Sequence, residues 1–149
     1  MNRRRIDTAV DIDADPKTVW QVLTDFSAYP DWNPFIRSIE GEPNQGSRLS
    51  VLIQPPGQKP MRFRPLVQAA ENSAKLSWIG CLMLRGLLDG RHEFEIHPHG
   101  RGTRVLHREF FSGLLVPLFW NRMVQPTRAG FEAMNRALKA RAETPGSKD

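Results

Sequence analysis

One long amphipathic helix at the C-terminal end constrains this fold more than any other feature of the sequence. Apolar or small side chains recur there at steps of four and three residues, which places them on one helical face. They are Trp120, Val124, Thr127, Phe131, Met134 and Leu138. The pattern predicts a helix from Pro117 or Leu118 to about Arg141, and another element must cover its apolar face.

The segments before this helix have the pattern of short β-strands. Between Arg4 and Ile12, for example, apolar and polar side chains alternate with the period typical of a half-buried strand. The predicted strands are residues 4–12, 35–40, 48–54, 61–71, 75–80, 87–97 and 103–111. Pro65 favours an edge position or a bulge in the fourth of them. The short connections rule out parallel crossovers and predict an antiparallel meander.

Two short helices are predicted after the first strand. Asp15 can cap a helix that starts at Pro16, because proline is tolerated in the first helical turn. The segment Phe26–Pro34 contains two prolines and cannot continue that helix, so we expect a turn or a second short helix there. The predicted class is therefore α+β, with a curved antiparallel sheet of about six to seven strands around the C-terminal helix.

Length and composition indicate one domain over residues 1–149, with residues 142–149 as a disordered tail. The net charge of +5 suggests nucleic acid, but the basic residues are spread along the chain and carry no nucleic-acid-binding motif. The single Cys81 cannot form an intramolecular disulfide. No apolar run reaches the ~18 residues of a membrane span. We therefore expect a cytoplasmic protein without nucleic acid and without stable membrane insertion.

Several short motifs resemble the SRPBCC, or START-like helix-grip, superfamily, which includes polyketide cyclases and dehydrases, lipid-transport proteins and birch-pollen-allergen-like proteins. They are Ile12–Trp20, Leu23–Phe26, Tyr29–Pro34, Gly102–Val105 and Glu109–Gly113. The resemblance covers about residues 4–141. It implies a helix-grip fold with a hydrophobic ligand between sheet and helix, and leaves the activity open because members include both binders and enzymes. The iron triad of the Rieske-linked members does not stand out here, so no cofactor is carried over.

The last two predicted strands form a hairpin that places two histidines and a glutamate on its apolar face. If the turn centres on Gly100, His92 lies opposite His107, and Glu109 lies two positions further on the same face. That face also carries Phe94, Ile96 and Val105. Cross-strand neighbours are ~5 Å apart, so His92, His107 and Glu109 are candidate acid–base groups in the cavity.

Three roles stay open for this set on sequence alone. The side chains can satisfy one another inside the core, orient a bound ligand, or move protons during catalysis. A register shift of one residue would instead turn all three to solvent. No metal site is predicted, since nothing in the spacing of the two histidines and the carboxylate demands one.

Aromatic and apolar side chains on the inner faces are expected to line the ligand cavity together with a few polar groups. The predicted ligand-binding residues are Trp32, Phe63, Trp78, Phe94, Val105, His107, Trp120, Val124, Thr127 and Phe131. Trp32 is the candidate for the entrance, because it lies in a segment between prolines.

The leading hypothesis is a protein that binds a hydrophobic small molecule, lipid-like or polyketide-like. The alternative is a cyclase or dehydratase in which the histidines and Glu109 move protons on a carbonyl substrate. A third hypothesis is an interaction module that uses the apolar segment Leu114–Phe119 and the basic surface. Ordinary core packing is the main expectation for that segment; a cavity gate, a dimer contact and a loop that touches a membrane weakly are the alternatives. The sequence has no cofactor motif, and a homodimer stays open.

Overall fold

The computed structural model describes residues 3–82 and 84–144, and places eight strands and three α-helices within them. The strands are β1 Arg3–Ile12, β2 Ile36–Glu40, β3 Ser50–Ile53, β4 Met61–Phe63, β5 Leu66–Glu71, β6 Lys75–Leu82, β7 Leu88–His99 and β8 Gly102–Ser112. The helices are α1 Pro16–Thr24, α2 Tyr29–Trp32 and α3 Val116–Glu143, with a short 3₁₀ helix, Phe26–Ala28, before α2.

The strands form two antiparallel sheets that are joined along one segment. The larger sheet has the order β1-β8-β7-β6-β5, and the smaller has the order β2-β3-β4. Residues 46–49, just before β3, pair with the start of β5: the Leu49 amide donates to the Pro65 carbonyl at 2.8 Å and the Val67 amide donates to the Ser47 carbonyl at 2.9 Å. The predicted α+β class, with a curved antiparallel sheet and a long C-terminal helix, is confirmed.

The predicted strand over residues 61–71 is in fact two strands that belong to different sheets. β4 pairs with β3, whereas β5 pairs with β6. Pro65 lies between them, and because it has no amide hydrogen it cannot continue a ladder on both sides. This break raises the number of strands to eight and lets the sheet fold back over itself.

The predicted register of the β7–β8 hairpin is wrong by two residues. Phe94, rather than His92, lies opposite His107, and His92 lies opposite Glu109. The reason is a tight turn: His99 pairs with Gly102, so only two residues connect the strands where a longer turn was expected. A shift of two residues preserves which face each side chain occupies, and His92 and His107 both remain on the inner, buried face.

The start of α1 agrees with the sequence-based prediction. The Asp15 carboxylate accepts a hydrogen bond from the Thr18 amide at 2.8 Å, and Pro16 is the first helical residue. The buried Tyr29 hydroxyl donates to the Leu23 carbonyl at 2.6 Å, which ties α2 back onto the end of α1. The two predicted short helices are therefore present, and together they close one end of the sheet.

Helix α3 is buried unevenly along its length. After Gly130 its inner side chains are fully buried against the sheet, as for Phe131, Met134 and Leu138. Before Gly130, Trp120, Val124 and Thr127 are only half-buried. A methyl group on Gly130 would overlap the Phe35 ring, so this glycine marks the closest approach of helix and sheet. The helix extends to Glu143, inside the predicted tail, and residues 145–149 lie outside the described part of the chain.

Candidate functional site

A cavity of about 400 Å³ lies between the two sheets and the first half of α3. It forms where the half-buried part of the helix does not reach the sheet. Most of its wall is apolar. The apolar lining residues are Phe35, Val51, Ile53, Pro55, Met61, Phe63, Pro65, Trp78, Cys81, Leu82, Leu88, Phe111, Phe119 and Met123. This volume falls within the range typical of small-molecule sites.

A few polar side chains interrupt the apolar wall. They are Gln58, Asp89, His92, Glu109, Arg122 and Thr127. Gly80 and Gly90 pair across β6 and β7 at this point and both line the cavity. A side chain on Gly90 would overlap the Glu109 carboxylate, so the absence of that side chain makes room for the carboxylate at the cavity wall.

A chain of hydrogen bonds leads from Glu109 into the protein core. Glu109 Oε1 lies 3.1 Å from His92 Nδ1, and His92 Nε2 lies 2.8 Å from His107 Nε2. His107 Nδ1 lies 2.8 Å from Asn135 Oδ1 on α3. Asn135 Nδ2 donates to Thr8 Oγ1 at 2.9 Å, and that hydroxyl donates to the His107 carbonyl at 2.8 Å. Four elements therefore hold one polar network.

The network determines where its protons lie. The Thr8 hydroxyl hydrogen is used on the His107 carbonyl, so Thr8 Oγ1 can only accept from Asn135 Nδ2. Asn135 Oδ1 then faces His107, and His107 Nδ1 must donate to it. A neutral His107 has an acceptor at Nε2, which receives the hydrogen of His92 Nε2.

The environment of His107 keeps its imidazole neutral. Its ring stacks on Phe131, with centroids 4.1 Å apart, and on Phe94, with centroids 4.4 Å apart. Burial, together with the neighbouring charge of His92, lowers the pKa of His107 well below its ordinary value, and the hydrogen bond that His107 donates to Asn135 opposes this only in part. His107 therefore acts as a fixed acceptor for His92.

One proton must lie between His92 and Glu109. His92 Nε2 already carries a hydrogen toward His107, so a neutral His92 would present a bare lone pair to Glu109 Oε1. The contact is favourable only if His92 is an imidazolium beside a carboxylate, or if Glu109 is protonated and donates. Among the described residues none donates to Glu109 Oε2. This oxygen is a free acceptor at the wall of an apolar cavity.

Five of the predicted site residues line the cavity: Phe63, Trp78, His92, Glu109 and Thr127. Trp78 also stacks on the His92 ring, with centroids 5.2 Å apart and planes 14° apart, so it holds His92 in place. The proximity of His92, His107 and Glu109 that the hairpin predicted is present. Their order differs, because His92 contacts both of the others and His107 lies behind it.

Seven of the predicted ligand-binding residues are not part of the cavity wall: Trp32, Phe94, Val105, His107, Trp120, Val124 and Phe131. Phe94, Val105, His107 and Phe131 are fully buried in the core, where α3 contacts the sheet and leaves no space. Trp120 packs edge-on against Phe111 instead. The four buried residues are therefore on the inner side of the sheet or helix, but a side chain on that side can pack in the core without facing the cavity.

Trp32, the predicted entrance residue, packs away from the cavity. Its ring lies edge-on against Tyr29, with centroids 5.2 Å apart. The hydrogen bond of Tyr29 to the α1 carboxyl end holds this pair against the short helices. Pro30 lies in the first turn of α2, and Pro34 follows the helix end at Asn33.

Two residues that matter to the site were not identified from the sequence. Asn135 sits four residues after Phe131 and three before Leu138, on the apolar face of α3. A buried amide at such a position needs partners, and this spacing was the available signal. Gly90 is the second such residue. Its position within a predicted strand was the available signal, since a glycine there often marks a close approach of another group.

No three histidine, cysteine or carboxylate side chains within residues 3–82 and 84–144 are grouped so that they could hold a metal ion. In the same part of the chain, no helix is long and apolar enough to cross a membrane.

The neutral, buried His107 predicts a loss of stability in mild acid. Its pKa is lowered on folding, so the unfolded chain takes up a proton near pH 6.5 that the folded chain does not. Stability is complete above that pH and falls below it, by at most about 1.4 kcal/mol per pH unit. Urea unfolding between pH 7.5 and 5 measures this slope. His107→Gln should flatten it, whereas the exposed His97→Gln should leave it unchanged; equal slopes in all three proteins would contradict the assignment.

Comparison with known proteins places these features in context. A family model described as polyketide cyclase / dehydrase and lipid transport matches residues 3–143. No curated protein has a sequence that matches. Among solved structures, a START superfamily protein from Mycobacterium smegmatis has a TM-score of 0.72 at 20% identity, covering 93% of this chain and 97% of that one.

Two further structures are similar in fold. A point mutant of norcoclaurine synthase from Thalictrum flavum, in complex with a transition-state analogue, has a TM-score of 0.71 at 14% identity, and the similarity covers 94% of each chain. The di-domain ARO/CYC StfQ from the steffimycin biosynthetic pathway has a TM-score of 0.70 at 12% identity. The match covers 95% of the present chain but only 51% of StfQ. At these identities the similarity concerns the fold alone.

Proposed function

The chain belongs to the polyketide cyclase/dehydrase and lipid-transport family, and on that premise we propose that it binds a hydrophobic small molecule, lipid-like or polyketide-like, between its sheets and α3. The observation that carries this proposal is the cavity of about 400 Å³, whose wall is mostly apolar. The family membership also confirms the resemblance to the SRPBCC superfamily that the sequence motifs indicated.

The cavity wall supplies two kinds of contact for such a ligand. Apolar side chains such as Phe63, Trp78 and Met123 would remove its surface from water, which is worth roughly 25 cal/mol for each Å² buried. Glu109 Oε2, which accepts from no described residue, would orient the ligand by accepting a hydrogen bond from a hydroxyl group. Thr127 on α3 offers a second polar contact at the cavity wall.

Filling the cavity tests this proposal directly. Thr127→Trp places an indole in the space between helix and sheet, so we expect affinity for the fluorescent apolar probe N-phenyl-1-naphthylamine to fall by about tenfold or more. Ala129→Trp is the matched control, because Ala129 is exposed on the same helix, and its affinity should stay within about twofold of the original.

Thermal unfolding of both variants shows whether each is folded before probe binding is compared. If folded Thr127→Trp binds the probe as tightly as the original chain, the cavity is not the binding site and the proposal fails. Cys81→Trp, at another position on the cavity wall, provides a second test in case Thr127→Trp does not fold.

A second candidate function is acid–base catalysis on a carbonyl compound, of the cyclase or dehydratase type. The observation that favours it is the 3.1 Å contact between His92 Nδ1 and Glu109 Oε1 beside an apolar cavity, a contact that is favourable only with a shared proton. A group that can give and take a proton at one position is what such chemistry requires. Fixed orientation of His92 by His107 and Trp78 would support the transfer.

A further inference from the structure

Three leucines form an exposed apolar patch at one end of the molecule. Leu84, Leu114 and Leu118 are 70%, 71% and 70% exposed, the most exposed large hydrophobic side chains in the described chain. The sequence-based expectation that Leu114–Phe119 would be ordinary core holds for Val116 but is wrong for Leu114 and Leu118. Nothing within the described chain covers this patch, and a set of exposed leucines normally marks a contact surface.

The patch is one structural unit close to the cavity in sequence and hydrogen bonding. The loop between β6 and β7 and the segment between β8 and α3 are joined by two backbone hydrogen bonds. Leu114 donates its amide hydrogen to the Gly86 carbonyl at 3.0 Å, and Leu115 donates to the Leu87 carbonyl at 2.8 Å. Leu88, the first residue of β7, and Phe119, in the first turn of α3, both line the cavity.

Basic side chains surround the leucines. Arg85 lies beside Leu84 and is exposed. Arg3, also exposed, is opposite Ser112 in the β1–β8 ladder, so the start of β1 is at the same end of the sheet as Leu114. Within the described residues neither arginine forms an ion pair. Asp89, the acidic residue nearest to Arg85 in sequence, accepts a hydrogen bond from the Gly86 amide at 3.1 Å with both carboxylate oxygens.

We propose that this end of the molecule, which we call the leucine pole (Leu84, Leu114, Leu118, Arg3 and Arg85), docks reversibly on an anionic lipid membrane surface. Exposed leucines can enter the boundary between headgroups and acyl chains, while arginines bind anionic headgroups. This combination of apolar and basic groups complements a lipid surface that is both apolar and negatively charged. Docking does not depend on whether a ligand is bound in the cavity.

Vesicle cosedimentation tests the docking. We expect the full chain to bind vesicles of equal parts phosphatidylcholine and phosphatidylglycerol, and to bind phosphatidylcholine vesicles at least about tenfold more weakly. Leu114→Ser/Leu118→Ser should lower binding to the mixed vesicles by about tenfold. Removing charge in Arg3→Gln and Arg85→Gln should lower it by about fivefold for each arginine, and added salt should act in the same direction.

Matched controls lie at the other end of the molecule or elsewhere on α3. Lys17→Gln/Arg136→Gln removes the same charge, and Ala129→Ser/Ala140→Ser introduces the same polar groups at exposed positions; both should bind within about twofold of the original chain. The leucine variant should retain binding of N-phenyl-1-naphthylamine, since neither leucine lines the cavity.

Two results would overturn the docking. The first is failure of the original chain to bind the mixed vesicles, or equal loss of binding in the pole variants and the controls. The second is a concentration-dependent dimer that Leu114→Ser/Leu118→Ser abolishes, in which case the pole is a contact between copies of this chain. Failure of the probe-binding experiment with intact vesicle binding would instead contradict the proposed ligand cavity and leave the docking standing.

Discussion

Glu109→Gln is expected to abolish proton exchange on an apolar ketone bound in the cavity. If the second candidate function is correct, the original protein should exchange the α-hydrogens of 2-tetralone for deuterium in D2O about a hundredfold faster than buffer alone. The Glu109 carboxylate would take the proton from carbon through Oε2, the His92–Glu109 pair would exchange that proton with D2O, and the enolate carbon would then take up a deuteron from the pair. Glutamine keeps the shape and the contact with His92 but cannot take up the proton. NMR spectroscopy of the ketone measures the exchange.

Glu95→Gln is the control for this experiment. Glu95 is on the same hairpin but pairs with Arg108 on the outer face, at 3.0 Å, so its loss should leave exchange unchanged. Glu109→Gln should also bind the apolar probe within about twofold of the original protein, because the amide is isosteric. Exchange no faster than with an equal concentration of free imidazole, or full activity in Glu109→Gln, would exclude acid–base catalysis by this pair.

His107→Leu is expected to lower the free energy of unfolding by about 3 kcal/mol. Leucine fills much of the same space, yet it leaves His92 Nε2 and Asn135 Oδ1 in the core without their partner. Each unsatisfied buried group costs about 1–3 kcal/mol. The ring contacts with Phe94 and Phe131 are lost as well. Equilibrium unfolding in urea at neutral pH measures the change.

His99→Leu provides the comparison, since His99 is about half exposed near the turn of the same hairpin. Its effect should stay within about 0.5 kcal/mol. If His107→Leu and His99→Leu are equally stable, the hydrogen bonds from His92 through His107 to Asn135 do not contribute to the free energy of unfolding. The proton positions derived from those hydrogen bonds then lose their support.

The fold was predictable because it depends on local periodicity. The spacing of apolar residues in α3 and the alternation in β1 are local patterns. Register was not predictable in the same way, because it depends on the length of one turn after His99. The break at Pro65 was noted as a bulge or edge, but assigning its two sides to different sheets requires knowledge of how the sheet folds back.

The candidate site was predictable only in part. The predicted proximity of His92, His107 and Glu109 is correct although the predicted register is wrong, because a register error of two residues leaves every side chain on the same face of the sheet. To predict the role of Asn135, one would have to know which turn of α3 lies over His107, and the local sequence pattern does not contain that information. The cavity wall depends on where the helix separates from the sheet, so Phe94 and Phe131 on the inner face turned out to be core while Met123 lines the cavity.

The uneven burial of α3 separates the part of the helix that secures the fold from the part that lines the cavity. Beyond Gly130, the buried Phe131 and Asn135 belong to the packed and hydrogen-bonded core. Before it, Met123 and Thr127 border open space and are only half-buried. Substitutions in this first half are therefore expected to alter the shape of the cavity while the core stays intact. The cavity can thus change, by evolution or by engineering, separately from the packing that holds the fold together.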